Sequence, residues 1–167
     1  MCKIQLGHVH LKVRDLERSI DFYTRFLGLT LNERVKDRYA FLSFGSRHHD
    51  LALEYMGKGA SLPSATGAGL YILAFEVHDQ EAFLAAYSTL KTAGVETALV
   101  DHLISWAVDF NDPDGNGVEI YWDTRREPGG QPLWHGRNVV LPAHRVAHCL
   151  DHTRQDHEGT QAQAENT

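Results

Sequence analysis

The chain lacks the excess of basic residues that is typical of nucleic-acid-binding proteins and the many cysteines that are typical of small secreted proteins. Its 16 Lys and Arg residues are outnumbered by 22 Asp and Glu residues, which gives a formal net charge of -6 at pH 7. A surface of this sign repels phosphate groups, so nucleic acid is not an expected partner. The two cysteines, Cys2 and Cys149, are too few for a disulfide framework, which indicates a reducing compartment.

Long apolar runs are also absent. No stretch approaches the roughly 20 residues that a membrane-spanning helix needs, and the start of the chain, MCKIQLGHVHLKV, does not read as a secretion signal. We therefore expect a soluble, cytoplasmic protein with no membrane partner. The 167 residues, 43% of them hydrophobic, are enough for one ordinary core.

An internal repeat is the most informative feature that the sequence does contain. Each copy consists of an alternating strand, an aspartate at the N-cap position of an amphipathic segment, and a closing glycine. These parts are Gly7–Arg14, Asp15 and Gly28 in the first copy, and Leu70–His78, Asp79 and Gly94 in the second. The pattern predicts one strand-helix unit used twice.

Two strand-like runs follow each helix: Tyr39–Phe44, His49–Tyr55, Ser105–Phe110 and Gly117–Trp122. The order predicts an α+β fold of paired βαβββ modules, whose curved mixed sheets face one cavity. We place the modules at about residues 4–56 and 68–125, inside a single domain of residues 1–125. Residues 126–150 form a C-terminal extension, and the polar tail 151–167 is expected to be disordered.

Alternation along the strands sorts side chains onto two faces. In the first strand the apolar face packs on the helix, which leaves His8 and His10 on the concave face. In the last strand the apolar residues occupy one face, so Glu119 and Tyr121 point to the opposite face. A carboxylate within the run VEIYW must be paired, metal-bound or at an open edge, which makes Glu119 a candidate ligand.

The adjacent histidines His48 and His49 introduce a third strand, and one of them is expected to be incidental. His49 is preferred because Leu51 and Leu53 continue its alternation, whereas His48 shares a face with Asp50. Strand position therefore allows His49 to converge with the other candidate ligands.

His8, His49 and Glu119 together provide two imidazoles and one carboxylate. This is the ligand set of facial-triad sites for non-haem Fe(II), which leave neighbouring positions open for substrate and oxygen. We expect Fe(II) in a metal-containing cavity, with Mn(II) as the alternative that the same ligands suit.

These residues lie in motifs that resemble the vicinal oxygen chelate superfamily, which includes glyoxalase I, fosfomycin-resistance thiol transferases, bleomycin-resistance proteins and extradiol dioxygenases. The motifs are GHVHLKVRDLERSIDFYTRFLGL, FLSFGSRHHDLAL and DHLISWAVDFNDPDGNGVEIYWD, within residues 4–125. The ligand positions of these motifs fall on His8, His49 and Glu119. The sequences of the motifs are most similar to those of small catechol 2,3-dioxygenase-like proteins. Ile72 stands in the second repeat where His8 stands in the first, so the resemblance implies one metal centre per chain.

The resemblance implies Fe(II)-dependent extradiol cleavage of a catechol-type aromatic, with a small aromatic diol and O2 as substrates. It makes His102 the candidate for proton transfer, although a histidine in a surface loop is the other interpretation of VDHLIS. His10, Tyr121 and Asp109 complete the candidate catalytic residues. Asp109 is a departure, because ring-cleaving relatives carry a tyrosine there; their mid-sheet histidine is also absent from residues 32–44.

Three other functions fit part of this set of candidate ligands and motifs. A Mn-dependent thiol transferase of the fosfomycin-resistance type uses the same ligands, but His10 stands where such enzymes place a small hydroxyl residue. A glyoxalase-type isomerase would prefer a second carboxylate or a Gln ligand, and a metal-free drug-binding dimer has no need of three ligands. The resemblance also implies a homodimer, and the apolar segment PLWHGRNVVLPAH is expected to pack on a neighbour or over the cavity mouth.

Overall fold

The computed structural model describes residues 4–64 and 66–146. The predicted disordered tail and both cysteines lie outside the described residues. Contacts divide the chain into two compact units. Of the described residues, unit 1 contains 4–64, 66–71 and 111–116, and unit 2 contains 72–110 and 117–146.

Unit 1 contains a four-stranded sheet in the order β1-β4-β3-β2 and one helix, α1. Its elements are β1 (Val9–Val13), α1 (Leu16–Leu27), β2 (Thr30–Val35), β3 (Tyr39–Ser43) and β4 (Leu51–Tyr55). Strands β1 and β4 are parallel, with Val9 opposite Leu51, and the other pairs are antiparallel. The sheet is therefore mixed and open.

Unit 2 repeats this plan in a sheet of order β5-β8-β7-β6-β9. Its elements are β5 (Ile72–Val77), α2 (Gln80–Thr92), β6 (Ala98–Asp101), β7 (Ser105–Asn111), β8 (Gly117–Asp123) and β9 (Val139–Val140). Strands β5 and β8 are parallel, and the short β9 of the C-terminal extension pairs antiparallel with β6. The α+β class and the paired mixed sheets that the repeat predicts are confirmed.

The helices begin at the residues that the sequence indicates. The side chains of Asp15 and Asp79 accept hydrogen bonds from backbone N–H groups of the first turns. Helix α1 ends at Gly28, whose φ of 70° lies in the left-handed region that a glycine adopts without strain. Within the described residues, no helix has the length and apolar character that a membrane span requires.

The predicted strand faces agree with the burial of the side chains. Leu11 and Val13 of β1 are buried while His10 is exposed, and β8 alternates strictly between buried and half-buried residues. Several strand boundaries differ from the prediction by one or two residues, and two of these differences affect the candidate site, since β1 begins at Val9 and β4 at Leu51. His8 and His49 therefore precede their strands, and strand parity does not fix the direction of His49.

Candidate active site

The paired histidines of unit 1 owe their proximity to the sheet register. His8 and His49 lie one and two residues before β1 and β4, and these neighbouring parallel strands start level with each other. Their ring centroids are 4.3 Å apart, with the planes inclined at 55°. Two imidazoles that bind one ion each need a nitrogen about 2.1 Å from it, which requires such neighbouring rings.

The electrostatics around His49 favour its neutral form. Burial, followed by the neighbouring His8 and His48, lowers the pKa of the His49 imidazole below its usual range. A histidine must be neutral to give a lone pair to a metal ion, so this environment suits a ligand.

His48, the histidine that the sequence analysis did not select as a ligand, contacts His49. Its Nδ1 lies 2.9 Å from Nδ1 of His49, and its Nε2 lies 3.0 Å from Oε2 of Glu33 on β2. The side chain of Asn32 also donates to the backbone carbonyl of His48, at 2.9 Å. Strand parity in the sequence set His48 aside, and no motif singled out Glu33.

His10 lies in a different environment on β1. Its ring approaches that of Tyr39 edge-on, with centroids 6.1 Å apart. The Tyr39 hydroxyl donates to Glu54 at 3.0 Å, and Arg38 donates to the same oxygen at 2.9 Å. The Arg38 hydrogen bond, and then that of Tyr39, holds the pKa of Glu54 below its usual range.

Glu119 of unit 2 lies beside two other titratable side chains. Nε2 of His102 is 3.4 Å from Oε2 of Glu119, and Asp109 stands close on β7, the neighbouring strand. Burial, and then the charge of Asp109, raises the pKa of Glu119. Among the described side chains, Oδ1 of Asp109 is a buried oxygen without a hydrogen-bond partner.

The other ring nitrogen of His102 contacts the C-terminal extension. Nδ1 lies 2.8 Å from Oδ1 of Asn138, and the indole Nε1–H of Trp134 donates to the same oxygen at 3.1 Å. The His102 side chain is 19% exposed, so it is not a freely solvated loop histidine. The sequence analysis singled out the segment PLWHGRNVVLPAH, which contains Trp134 and Asn138, but no repeat or motif indicated that they contact His102.

Tyr121 follows the cross-strand register of unit 2. It stands opposite Glu76 of β5, and its hydroxyl donates to the Glu76 carboxylate at 3.1 Å. Burial, and then the charge of Glu76, raises the pKa of the Tyr121 phenol. The Tyr121 phenol is therefore protonated, and its hydroxyl is held in place by the hydrogen bond to Glu76.

The structure thus brings the predicted residues together in two groups. His8 and His49 form a pair in unit 1, and Glu119, Asp109 and His102 form a cluster in unit 2. Across the described ranges, no three His, Cys, Asp or Glu side chains are grouped so that they could hold a metal ion. The donor types nevertheless fit a divalent cation, since they offer imidazole nitrogens and a carboxylate beside an unpartnered buried oxygen.

Residues 5–120 match the model of the Glyoxalase/Bleomycin resistance protein/Dioxygenase superfamily. This range is well over half of the chain, and the chain belongs to that superfamily.

Three similar proteins show the breadth of this family. The chain is 34% identical over 121 residues to a catechol-2,3-dioxygenase of Bacillus subtilis, a match that covers 72% of this chain and 42% of that protein. It is 28% identical over 138 residues to a probable lactoylglutathione lyase of Vibrio cholerae, covering 77% of this chain and 98% of that protein. A glyoxylase/bleomycin resistance protein/dioxygenase domain from Frankia superposes with a TM-score of 0.61 at 26% identity, covering 73% and 99% of the two chains.

The chain therefore spans less than half the length of the Bacillus dioxygenase. The superfamily is shared by relatives named for different activities, a dioxygenase and a lyase.

Proposed function

We propose that the chain is an Fe(II)-dependent extradiol dioxygenase, in which His8, His49 and Glu119 bind the ion and a catechol-type aromatic diol is cleaved with O2. The observation that carries the proposal is the pair of His8 and His49 rings, 4.3 Å apart in a chain 34% identical to a catechol-2,3-dioxygenase. Mn(II) is the other ion that these ligands suit. When bound, the ion would supply Lewis-acid binding of the diol oxygens and a path for electrons to O2.

His102 is the residue that we assign to proton transfer, and its contacts decide which nitrogen acts. An indole N–H can only donate, so the Asn138 atom that Trp134 contacts must be the acceptor oxygen. The Nδ1 atom of His102, which faces the same oxygen, must then carry a proton. Nε2, which lies 3.4 Å from Oε2 of Glu119, is the nitrogen that we propose to take a proton from the diol and return it during the reaction.

Asp109 is proposed to bind the substrate. Its buried Oδ1 can accept a hydrogen bond, and a substrate hydroxyl would provide the donor that the described side chains do not. His10 and Tyr121 are proposed to contact the aromatic ring, since each has a planar side chain two residues along the chain from a proposed ligand, His8 or Glu119.

The proposal is tested by loading the chain with Fe(II) without oxygen and then adding catechols of increasing size in air. A yellow ring-fission product, with one O2 consumed for each ring opened, is the expected result. Glu119→Gln is the matched control, because it keeps the shape of the side chain and removes its charge. Metal uptake without oxygen consumption across the whole series would contradict the proposal.

A lactoylglutathione lyase is the second candidate. The observation that favours it is the match to the probable lactoylglutathione lyase of Vibrio cholerae, which is 28% identical over 138 residues and covers 98% of that relative. A lactoylglutathione lyase assay on the same metal-loaded preparation distinguishes the two. Activity in that assay without oxygen consumption would select the second candidate.

A further inference from the structure

The C-terminal extension reaches His102 through the register of two short strands in unit 2. Strand β9 pairs antiparallel with β6, and Val139 stands opposite Asp101. The next residues on the two strands, Asn138 and His102, therefore lie side by side. Oδ1 of Asn138 is 2.8 Å from Nδ1 of His102. The pairing of β6 with β9 thus brings the extension to the candidate site.

Trp134 approaches His102 beside Asn138. The two rings meet edge-on, with centroids 6.2 Å apart and planes inclined at 81°. The indole Nε1–H donates to the carbonyl of Arg137 at 2.8 Å and to Oδ1 of Asn138 at 3.1 Å. Edge-on contact is a favourable arrangement of two aromatic rings, and the two acceptors fix where the indole lies. Trp134 is therefore anchored in contact with His102.

A tight turn presents Trp134 at this point. The backbone N–H of Arg137 donates to the Trp134 carbonyl at 3.2 Å, which closes a turn of four residues. Its central residues, His135 and Gly136, have φ values of 54° and 69°. Positive φ at both central positions is typical of a type I′ turn. A glycine adopts this conformation freely, but a histidine is strained in it.

A second strained residue directly follows His102. Leu103 has a φ of 69°, and its backbone N–H donates to Oδ1 of Asp101 at 2.8 Å. Arg145 of the extension forms an ion pair with Oδ2 of the same aspartate at 3.6 Å. Among the described residues, three other than glycine have positive φ, and Leu103 and His135 are two of them. Strained backbone persists where neighbouring contacts hold it and concentrates at functional sites, which indicates a function for the contact between these two turns.

We propose that Trp134 is a positioning residue, which holds the His102 side chain in the one rotamer that directs Nε2 towards Glu119. Nε2 lies 3.4 Å from Oε2 of Glu119, so rotation of the ring would move it away from this carboxylate. A residue that transfers a proton acts only within hydrogen-bond distance of the reacting group, so its rotamer controls its rate. The inference rests on the proposed function only in taking His102 as the proton-transfer residue.

The rotamer is measured first by NMR, on the metal-free chain without substrate. In the wild type we expect nuclear Overhauser effects between the ring protons of His102 and Trp134, together with the couplings of a single χ1 rotamer of His102. In Trp134→Ala these couplings should become averaged over several rotamers. Averaged couplings in the wild type, or an unchanged single rotamer in Trp134→Ala, would overturn the proposal.

Two variants of His135 test the turn while Trp134 and Asn138 stay in place. His135→Pro fixes φ near −65° and so excludes the turn, and it should release His102 as Trp134→Ala does. His135→Gly is the matched control, because it removes the same imidazole and adopts positive φ without strain. It should keep the single rotamer of the wild type. Equal effects of the two variants would refute the role of the turn.

Steady-state kinetics with a catechol gives the second readout. Trp134→Ala should lower kcat about tenfold with little change in KM, because His102 spends less time in the active rotamer. Trp134→Phe keeps a ring against His102 and lacks the N–H, so it should retain more of kcat than Trp134→Ala. Leu133→Ala is the control, since Leu133 is 59% exposed beside Trp134, which is itself 46% exposed. Equal losses of kcat in Leu133→Ala and Trp134→Ala would contradict the positioning role.

The failure of this inference can be distinguished from the failure of the proposed function. A His102 rotamer that depends on Trp134, in a chain that consumes no oxygen with any catechol, would refute the dioxygenase and support the positioning role. Ring cleavage with a kcat that Trp134→Ala leaves unchanged would support the dioxygenase and overturn the positioning role.

Discussion

Tyr23 shows how much one buried side chain can contribute in unit 1. It is completely buried on α1, and its hydroxyl donates to the Asp112 carboxylate at 2.8 Å. Asp112 also accepts from the backbone N–H groups of Asp114 and Asn116. Burial, and then the charge of Asp112, raises the pKa of the Tyr23 phenol far above its usual range. The Tyr23 phenol therefore stays protonated, and able to donate, at alkaline pH.

Tyr23→Phe should lower the free energy of unfolding by about 1.5–3 kcal/mol, since it removes a hydrogen bond to a charged, buried group. The pH dependence follows from the sign of the pKa shift. A pKa raised in the folded state stabilises the protein below the unfolded value of about 10, and this contribution is lost as the pH rises above it. Urea unfolding at about pH 8 and pH 11 measures both effects.

The control for this prediction is Tyr71→Phe, because Tyr71 is 90% exposed. It should change neither the stability nor its alkaline dependence. If Tyr23→Phe and Tyr71→Phe behave alike, Tyr23 does not have the role given to it here.

The residues of the candidate site differ in how far the sequence could predict them. Glu119 could be singled out because a carboxylate interrupts an apolar strand, and the structure places it half-buried beside His102 and Asp109. The contacts of His48 with Glu33 and His49 could not be predicted, since they depend on how β2 lies against the loop before β4. The common metal site of His8, His49 and Glu119 stays a prediction.

At the level of secondary-structure elements, the sequence predicts well where the two helices α1 and α2 begin. Asp15→Ala should cost about 0.5–2 kcal/mol, because its side chain caps α1 by accepting from the backbone N–H of Arg18. Asp21→Ala, an exposed position within the same helix, is the control and should have little effect. Urea unfolding of the two variants checks the prediction, and equal losses would show that the cap is not the cause.

The C-terminal extension yields a prediction about catalysis. Asn138→Ala should lower kcat about ten- to a hundredfold with little change in KM, since His102 loses the acceptor that holds its Nδ1–H. Steady-state kinetics with the best catechol measures this split. Gln131→Ala, elsewhere in the exposed part of the extension, should leave both constants unchanged. A rise in KM alone would instead indicate a role in substrate binding.

Strands were predicted less completely than helices. The alternating runs that lead into α1 and α2 were recognised, and so were β3, β4, β7 and β8 to within two residues. The positions of β2 and β6 were not named. All six residues of β2 are exposed, so no buried face gives it a period-two signal. The two-residue β9 exists only through its pairing with β6.

For the whole molecule, we retain the expectation of a homodimer. Large apolar side chains are exposed near the start of the described chain and before β5, including Ile4, Leu6 and Tyr71. Association of two copies would cover such surface. Sedimentation equilibrium should give twice the mass of the chain, and a mass equal to one chain at micromolar concentration would contradict the expectation.

Metal stoichiometry tests the central claim most directly. After anaerobic loading with Fe(II) and removal of excess ion, the wild-type chain should retain one iron per chain. His8→Ala, His49→Ala and Glu119→Gln should each lose it, whereas the control His78→Ala, an exposed histidine of unit 2, should retain it. Full iron content in any of the three ligand variants would contradict the proposed metal centre.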